Sequence, residues 1–166
     1  MNSYNVRRFY AGMLLFLVSG ILSESGWAED NLRFRGTLIE SMPCKVSSNN
    51  IIEVDFGSDV QTTLVDGSYK KMEVPYTVLC PPGAPSAMNI RIEGTGAPFD
   101  SKVLMTNITD FGIAILSDGT ALPINSTKDF TYPNLPRLFA VPVKRPGATL
   151  IGGVFSAAAT MRVEYR

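Results

Sequence analysis

The sequence predicts an all-β protein, and three observations carry that prediction. Apolar and polar residues alternate in short stretches along most of the chain, with period two. Turn residues separate these stretches: Asp66-Gly67, Pro81-Pro82-Gly83, Gly94-Thr95-Gly96, Asp118-Gly119 and Arg145-Pro146-Gly147. Nowhere do apolar residues recur at helical spacing for three turns without Gly or Pro intervening. Candidate strands are Leu32–Ile39, Ile51–Phe56, Met72–Leu79, Met88–Gly94, Val103–Met105, Gly112–Leu116, Arg137–Val143 and Val154–Tyr165. So many short strands in one chain of this size, with two cysteines to bridge them, suggest a single immunoglobulin-like sandwich.

Composition narrows the functional classes. The chain has 166 residues, 45% of them hydrophobic and 18% charged, enough to form a core. Lys plus Arg total 15 and Asp plus Glu total 15, a balance that argues against nucleic acid as a partner. There is no histidine, so a Ser-His-Asp triad, a Cys-His dyad and the common zinc sites are excluded. Carboxylate chemistry survives that exclusion, but no paired carboxylates stand out. Asp55, Asp59 and Asp66 lack the spacing of a calcium loop. No metal, cofactor, small-molecule substrate or enzymatic activity is expected.

The first segment reads as an address. Arg7 and Arg8 precede an apolar run from Phe9 to Leu22, and Gly26 and Ala28 supply the small residues of a cleavage site. The run is shorter than the roughly 20 residues that span a bilayer as a helix. Residues 1–28 are therefore expected to be a secretory signal peptide, leaving a mature chain that begins at Glu29. A retained anchor and a twin-arginine signal are the weaker readings. Cys44 and Cys80 both lie in the exported part, where two thiols with none left over most simply form one structural disulfide. Closing a loop of that length contributes about 4 kcal/mol in the chain-entropy account.

Two strands differ from the rest. In the last one Phe155, Ala157, Ala159, Met161, Val163 and Tyr165 share one face, with Val154, Ser156, Ala158, Thr160, Arg162 and Glu164 on the other. At about 3.3 Å per residue it is roughly 40 Å long, and its small alanines suit a shallow groove floor. At the start of the mature chain, Leu32, Phe34, Gly36 and Leu38 share a face opposite Arg33, Arg35 and Thr37. Burying Leu32, Phe34 and Leu38 is worth roughly 5–8 kcal/mol. Each stretch reads either as one of the domain's own strands or as a partner in strand addition between molecules.

These residues carry a family resemblance over essentially the whole mature chain. Asn31-Leu32-Arg33-Phe34-Arg35-Gly36-Thr37-Leu38-Ile39, followed by Pro43-Cys44, closely resembles the N-terminal extension of chaperone–usher pilins. Val54-Asp55-Phe56-Gly57, Cys80 and Thr106-Asn107-Ile108-Thr109-Asp110-Phe111-Gly112-Ile113-Ala114 continue it. Gly153, the alternation after it and the penultimate Tyr165 complete it. Within that family the chain is most similar to minor tip subunits of P-type fimbriae, above all the adaptor that follows the adhesin.

The resemblance implies an incomplete immunoglobulin-like sandwich of six strands, completed by a donated strand. It divides the chain into a signal peptide (1–28), a donor-strand extension (29–42) and a pilin domain (43–166). Leu32, Phe34, Gly36 and Leu38 are then the donor residues, with Gly36 clearing the neighbour's groove floor. Gly153, Phe155, Ala157, Ala159, Met161, Val163, Tyr165 and Arg166 are the groove and chaperone-pairing residues, the Arg166 carboxylate being held in the chaperone cleft. The implied partners are a periplasmic chaperone, an outer-membrane usher and neighbouring pilins or a tip adhesin. The implied destination is the cell-surface fimbrium, where the subunit contributes to adhesion. A receptor-binding module, a fibre terminator and a self-sufficient secreted sandwich are the rival readings. Asn107-Ile108-Thr109 and Asn125-Ser126-Thr127 match glycosylation acceptors but are read as incidental.

Overall fold

The structure, a computed structural model, describes residues 33–38 and 42–166. The proposed signal peptide lies outside the described residues. Among the described residues there is no helix long and apolar enough to cross a membrane. Two units are distinguished along the chain, Met1–Ile39 and Glu40–Arg166. In the first, residues 33–38 belong to no strand, and Phe34 and Leu38 are 88% and 100% exposed.

The second unit is an antiparallel sandwich of eleven short strands. These are β1 (Lys45–Val46), β2 (Met72–Glu73), β3 (Val78–Leu79), β4 (Ala87–Gly94), β5 (Gly96–Ala97), β6 (Asp100–Met105), β7 (Phe111–Ser117), β8 (Thr120–Ala121), β9 (Thr127–Thr131), β10 (Leu138–Lys144) and β11 (Ala159–Tyr165). One sheet runs β2-β10-β7-β6-β5, with β8 beside β7; a second runs β11-β4-β9; and β1 pairs with β3.

Period-two burial sets the two main sheets face to face. On β4, Met88, Ile90 and Ile92 point inward while Asn89, Arg91 and Glu93 point out. Phe111, Ile113 and Ile115 of β7 and Leu138 and Ala140 of β10 come from the facing sheet. Met88 and Ile90 are both 0% exposed, Ile90 within this core and Met88 beside Cys80.

Prolines explain where strands break. Met72–Leu79 is expected as one strand but splits at Pro75, so that β2 joins the large sheet and β3 pairs with β1. Pro142 sits within β10 without harm. The Leu138 carbonyl accepts from the Val74 N–H, so even-numbered positions of β10 turn toward β2, which reaches only as far as the pairing of Met72 with Ala140. The missing N–H of Pro142 thus faces the side where β2 has ended. Ile51–Phe56, also expected as a strand, alternates in burial but pairs with none of the described strands. The last strand begins at Ala159 rather than Val154, because Ala159 is already opposite Gly94 at the end of β4. Strand β9 is absent from the expectation because Thr-Lys-Asp-Phe-Thr offers one strong apolar residue, Phe130.

Cys44 and Cys80 are bonded, as expected, immediately outside the β1–β3 ladder, in which Lys45 is opposite Leu79. Tyr76 donates its hydroxyl to the Pro136 carbonyl at 2.6 Å, and burial pushes its pKa up to about 12.

Two stability predictions follow from this packing. Ile90→Ala removes a side chain with no exposure and should lower unfolding free energy by about 2–5 kcal/mol in urea titration. The second concerns pH. Hydrogen bonds from Lys70, Arg145 and Arg137 hold Asp59, Asp110 and Glu73 below the usual carboxylate range, and the Ser68 and Tyr69 N–H groups do so for Asp66. Their small stabilisation is present above that range and lost as pH falls through it. Tyr76 works in the opposite sense: its contribution is intact below the ordinary tyrosine value near 10 and is lost from there up to about 12. With no histidine, the urea midpoint should stay nearly flat from about pH 5 to 9; a step near 6–7 would contradict the assignment.

Candidate functional site: an open groove beside the last strand

Strand β11 is an edge. It pairs with β4 along its full length, Ala159 opposite Gly94 through Tyr165 opposite Met88, and with no other described strand. The Arg166 N–H donates to the Ala87 carbonyl, so even-numbered positions turn their backbone groups toward β4. Odd-numbered positions therefore turn N–H and C=O toward the free edge. Their side chains face the core: Met161 and Val163 pack against it, as does Phe155 further back along the chain.

Beyond that free edge lies a groove of about 1770 Å³. Its far wall is residues 51–60, in which Ile52, Val54 and Phe56 are half-buried and Ile51, Glu53 and Asp55 exposed. This wall is held without a sheet. The Gly57 N–H donates to Asp55 Oδ1 at 2.8 Å, Lys70 Nζ donates to Asp59 Oδ1 at 2.6 Å, and the Tyr69 hydroxyl donates to the Asp59 carbonyl. Gly57 has φ +78°, a left-handed turn that suits glycine. The floor is the core itself: Ile92, Leu104, Phe111, Ile113 and Leu138 all line it. The two walls meet at one end, where the Phe155 ring lies 5.7 Å from Phe56 and edge-on at 4.8 Å from Phe111.

The other end is tied to the disulfide. Tyr165 donates its hydroxyl to the Met42 carbonyl at 2.7 Å, and Cys44 Sγ lies 3.4 Å from the Tyr165 hydroxyl oxygen. Arg166 pairs with Asp129 of β9. On the outward face, Glu93 accepts from Arg162 at 2.6 Å and raises its pKa further. Charge therefore sits on the rim and outer face, while the floor is apolar. Among the described residues no cluster of His, Cys, Asp and Glu could hold a metal. The arrangement suits one chemistry above others: an extended segment pairing with β11 while alternate apolar side chains enter the groove.

The residues singled out from sequence fall as follows. Phe155, Met161 and Val163 line the groove, half-buried; Ala157, Ala159 and Gly153 line it exposed, with little side chain to fill it; Tyr165 is half-buried beyond the lining, bonded to Met42. Phe34, Gly36 and Leu38 belong to the separate first unit, and Leu32 lies outside the described residues. Gly36 is not in the left-handed region, so its backbone makes no demand for glycine. Sequence reasoning did not assign residues 51–60, Leu104, Phe111 or Ile113 to the groove, although Val54–Gly57, Phe111 and Ile113 are among the residues that carry the family resemblance. The alternation of Ile52, Val54 and Phe56 was the available signal. Sequence reasoning named Asn107 and Asn125 as incidental acceptor motifs without the backbone bonds their side chains make: Asn107 to Val154 and Ser156, and Asn125 to Gly94.

The family model described as fimbrial protein matches residues 32–166. The chain belongs to the fimbrial protein family. It is 35% identical to the fimbrial-like protein YfcQ of Escherichia coli (strain K12), over 93% of this chain and 97% of YfcQ. It is 31% identical to YfcR of the same organism, over 94% of this chain and 92% of YfcR. Among solved structures it is similar to the P pilus adaptor subunit PapF, with a TM-score of 0.57, 28% identity, and coverage of 76% of this chain and 98% of PapF. The P pilus rod subunit PapA shares the fold, with a TM-score of 0.56 at 19% identity, over 81% of this chain and 99% of PapA. This chain is thus a fimbrial subunit of the chaperone–usher type, with the pilin form of the immunoglobulin-like sandwich. Its family is one of structural pilins, whose place is the cell-surface fimbria.

Tyr165→Phe tests the tie between groove and disulfide. Losing one hydroxyl bond to Met42 should lower stability by about 1 kcal/mol, read as a shift of urea midpoint at unchanged slope.

Proposed function

We propose that this fimbrial subunit is polymerised by donor-strand exchange and works as a minor, tip-proximal adaptor that contributes to adhesion without being an enzyme. One observation carries the reading: β11 leaves an edge unpaired directly above an apolar groove floored by the core. In water such an edge is an aggregation hazard, so the chain needs a strand from elsewhere. A periplasmic chaperone supplies it first, pairing with Phe155 to Tyr165 and holding the Arg166 carboxylate. The outer-membrane usher then hands the subunit to a neighbour, whose extension replaces the chaperone strand.

In the same reading residues 1–28 direct export, 29–42 form the extension and 43–166 form the body. Leu32, Phe34 and Leu38 fill a neighbour's groove. Gly36 is glycine for clearance there, since its own backbone does not require it. The adaptor role is supported by likeness to PapF, at 28% identity.

Periplasmic yield with and without the matching chaperone is the direct test. A soluble one-to-one complex, with loss of the chain when the chaperone is withheld, is expected. A stable, cooperatively folding monomer made alone would end the strand-donation reading. Gly36→Val should leave chaperone capture intact while preventing the extension from docking into a neighbour, in a purified exchange assay.

A further inference from the structure

Asn107 is where the groove's edge is built without a strand. Strand β4 ends at Gly94, opposite Ala159, so residues 154–158 run on with no β4 residue beside them. Asn107 takes that place: its Nδ2 donates to the Val154 carbonyl at 3.0 Å, and its Oδ1 accepts from the Ser156 N–H at 2.8 Å. Both contacts fall at even positions, as does the Arg166 N–H that reaches β4 at the opposite end of the strand. Phe155 faces the core as Met161 and Val163 do, so the odd-numbered side chains that pack on the core lie on both sides of the exposed residues 156–160. The primary amide therefore fills the edge that β4 would have filled, and leaves the odd-numbered edge free.

The same device occurs once more in the sheet. Asn125 Nδ2 donates to the Gly94 carbonyl, Asn125 Oδ1 accepts from the Gly94 N–H, and its own N–H bonds to Ile92. It extends β9, which begins at Thr127, along β4. The difference is location: Asn125 works inside the sheet, Asn107 on the strand that borders the groove. Thr106 fixes the base of Asn107. It is buried, its hydroxyl accepts from the Ile108 N–H, and that hydroxyl lies 2.9 Å from the Phe111 carbonyl.

We infer that Asn107 is a positioning residue for strand uptake: its side chain holds residues 154–158 in line with β11, so that an incoming apolar strand meets one continuous edge from Phe155 to Tyr165. This rests on the strand-donation reading. Without the amide, the part of the edge that precedes Ala159 has to be ordered by the incoming strand itself, which slows pairing at that end.

The test uses the full exported chain in complex with its chaperone, challenged with a synthetic peptide of residues 29–42. Asn107→Ala should take up the peptide about tenfold more slowly, the scale of one or two lost hydrogen bonds. In the peptide complex the Ser156 amide should exchange with solvent at least about tenfold faster, while amides of 159–165 stay protected. Asn107→Asp, of the same size, keeps the acceptor for Ser156 but turns an oxygen toward the Val154 carbonyl. It should slow uptake while preserving more of the Ser156 protection, and it serves if the alanine variant fails to fold. Asn125→Ala is the control for general stability: it should lower the melting temperature and leave uptake unchanged. Equal slowing by Asn107→Ala and Asn125→Ala, or unaltered uptake in Asn107→Ala, overturns the positioning role alone. A wild-type complex that never accepts the peptide overturns strand donation from a second copy, and the role of Asn107 with it.

Discussion

The structure is organised by an unfinished hydrophobic core. Ile92, Leu104, Phe111, Ile113 and Leu138 belong to the central cluster and at the same time floor an open groove. Covering apolar surface is worth about 25 cal/mol per Å², so a groove of this size is a standing driving force for association with another segment. It also has direction. The free edge of β11 supplies backbone donors and acceptors at two-residue intervals, which an extended chain alone can match along its length.

Leaving a core open makes the walls a separate problem, because sheet pairing cannot hold both sides of a missing strand. One wall is β11, secured by β4 and tied at its end to Met42 beside the Cys44–Cys80 bond. The other wall, residues 51–60, is held by Lys70, Tyr69 and a local turn at Gly57. Where neither sheet nor ion pair reaches, Asn107 supplies backbone-like pairing from a side chain. Phe155 packs against Phe56 of the far wall and Phe111 of the floor, so the two walls touch at that end. These contacts are exposed or half-buried and individually modest. Their importance is geometric: they fix the two walls on either side of the open core.

Much of this was legible in the sequence, and the reason is periodicity. Met88, Ile90 and Ile92 alternate with Asn89, Arg91 and Glu93, and a period of two needs no knowledge of neighbours to be read. The disulfide followed from there being two cysteines in an exported chain. What did not follow was pairing. Residues 51–56 have strand-like alternation and form no strand, since alternation reports which face is buried and not whether an edge has a partner. Strand β9 fails in reverse: it pairs with β4 although its sequence is polar, because pairing is a backbone property. Asn107 was legible as part of the family resemblance and Asn125 as an acceptor motif, but the backbone pairing of neither was, as their partners lie 47 to 49 and 31 residues away.

The misread start of the last strand connects these lessons. By pattern it begins at Val154; by pairing it begins at Ala159. The five residues between have a strand's alternation in sequence, and one side chain, that of Asn107, stands in for a neighbouring strand at Val154 and Ser156. A segment of that kind is ordered enough to present an edge and retains no ladder partner of its own. On the proposed strand-donation reading, the docking edge is thereby longer than the sheet supporting it. Its extra length rests on a single amide, so the edge near Phe155 can respond to changes at residue 107 while the β4–β11 ladder remains in place.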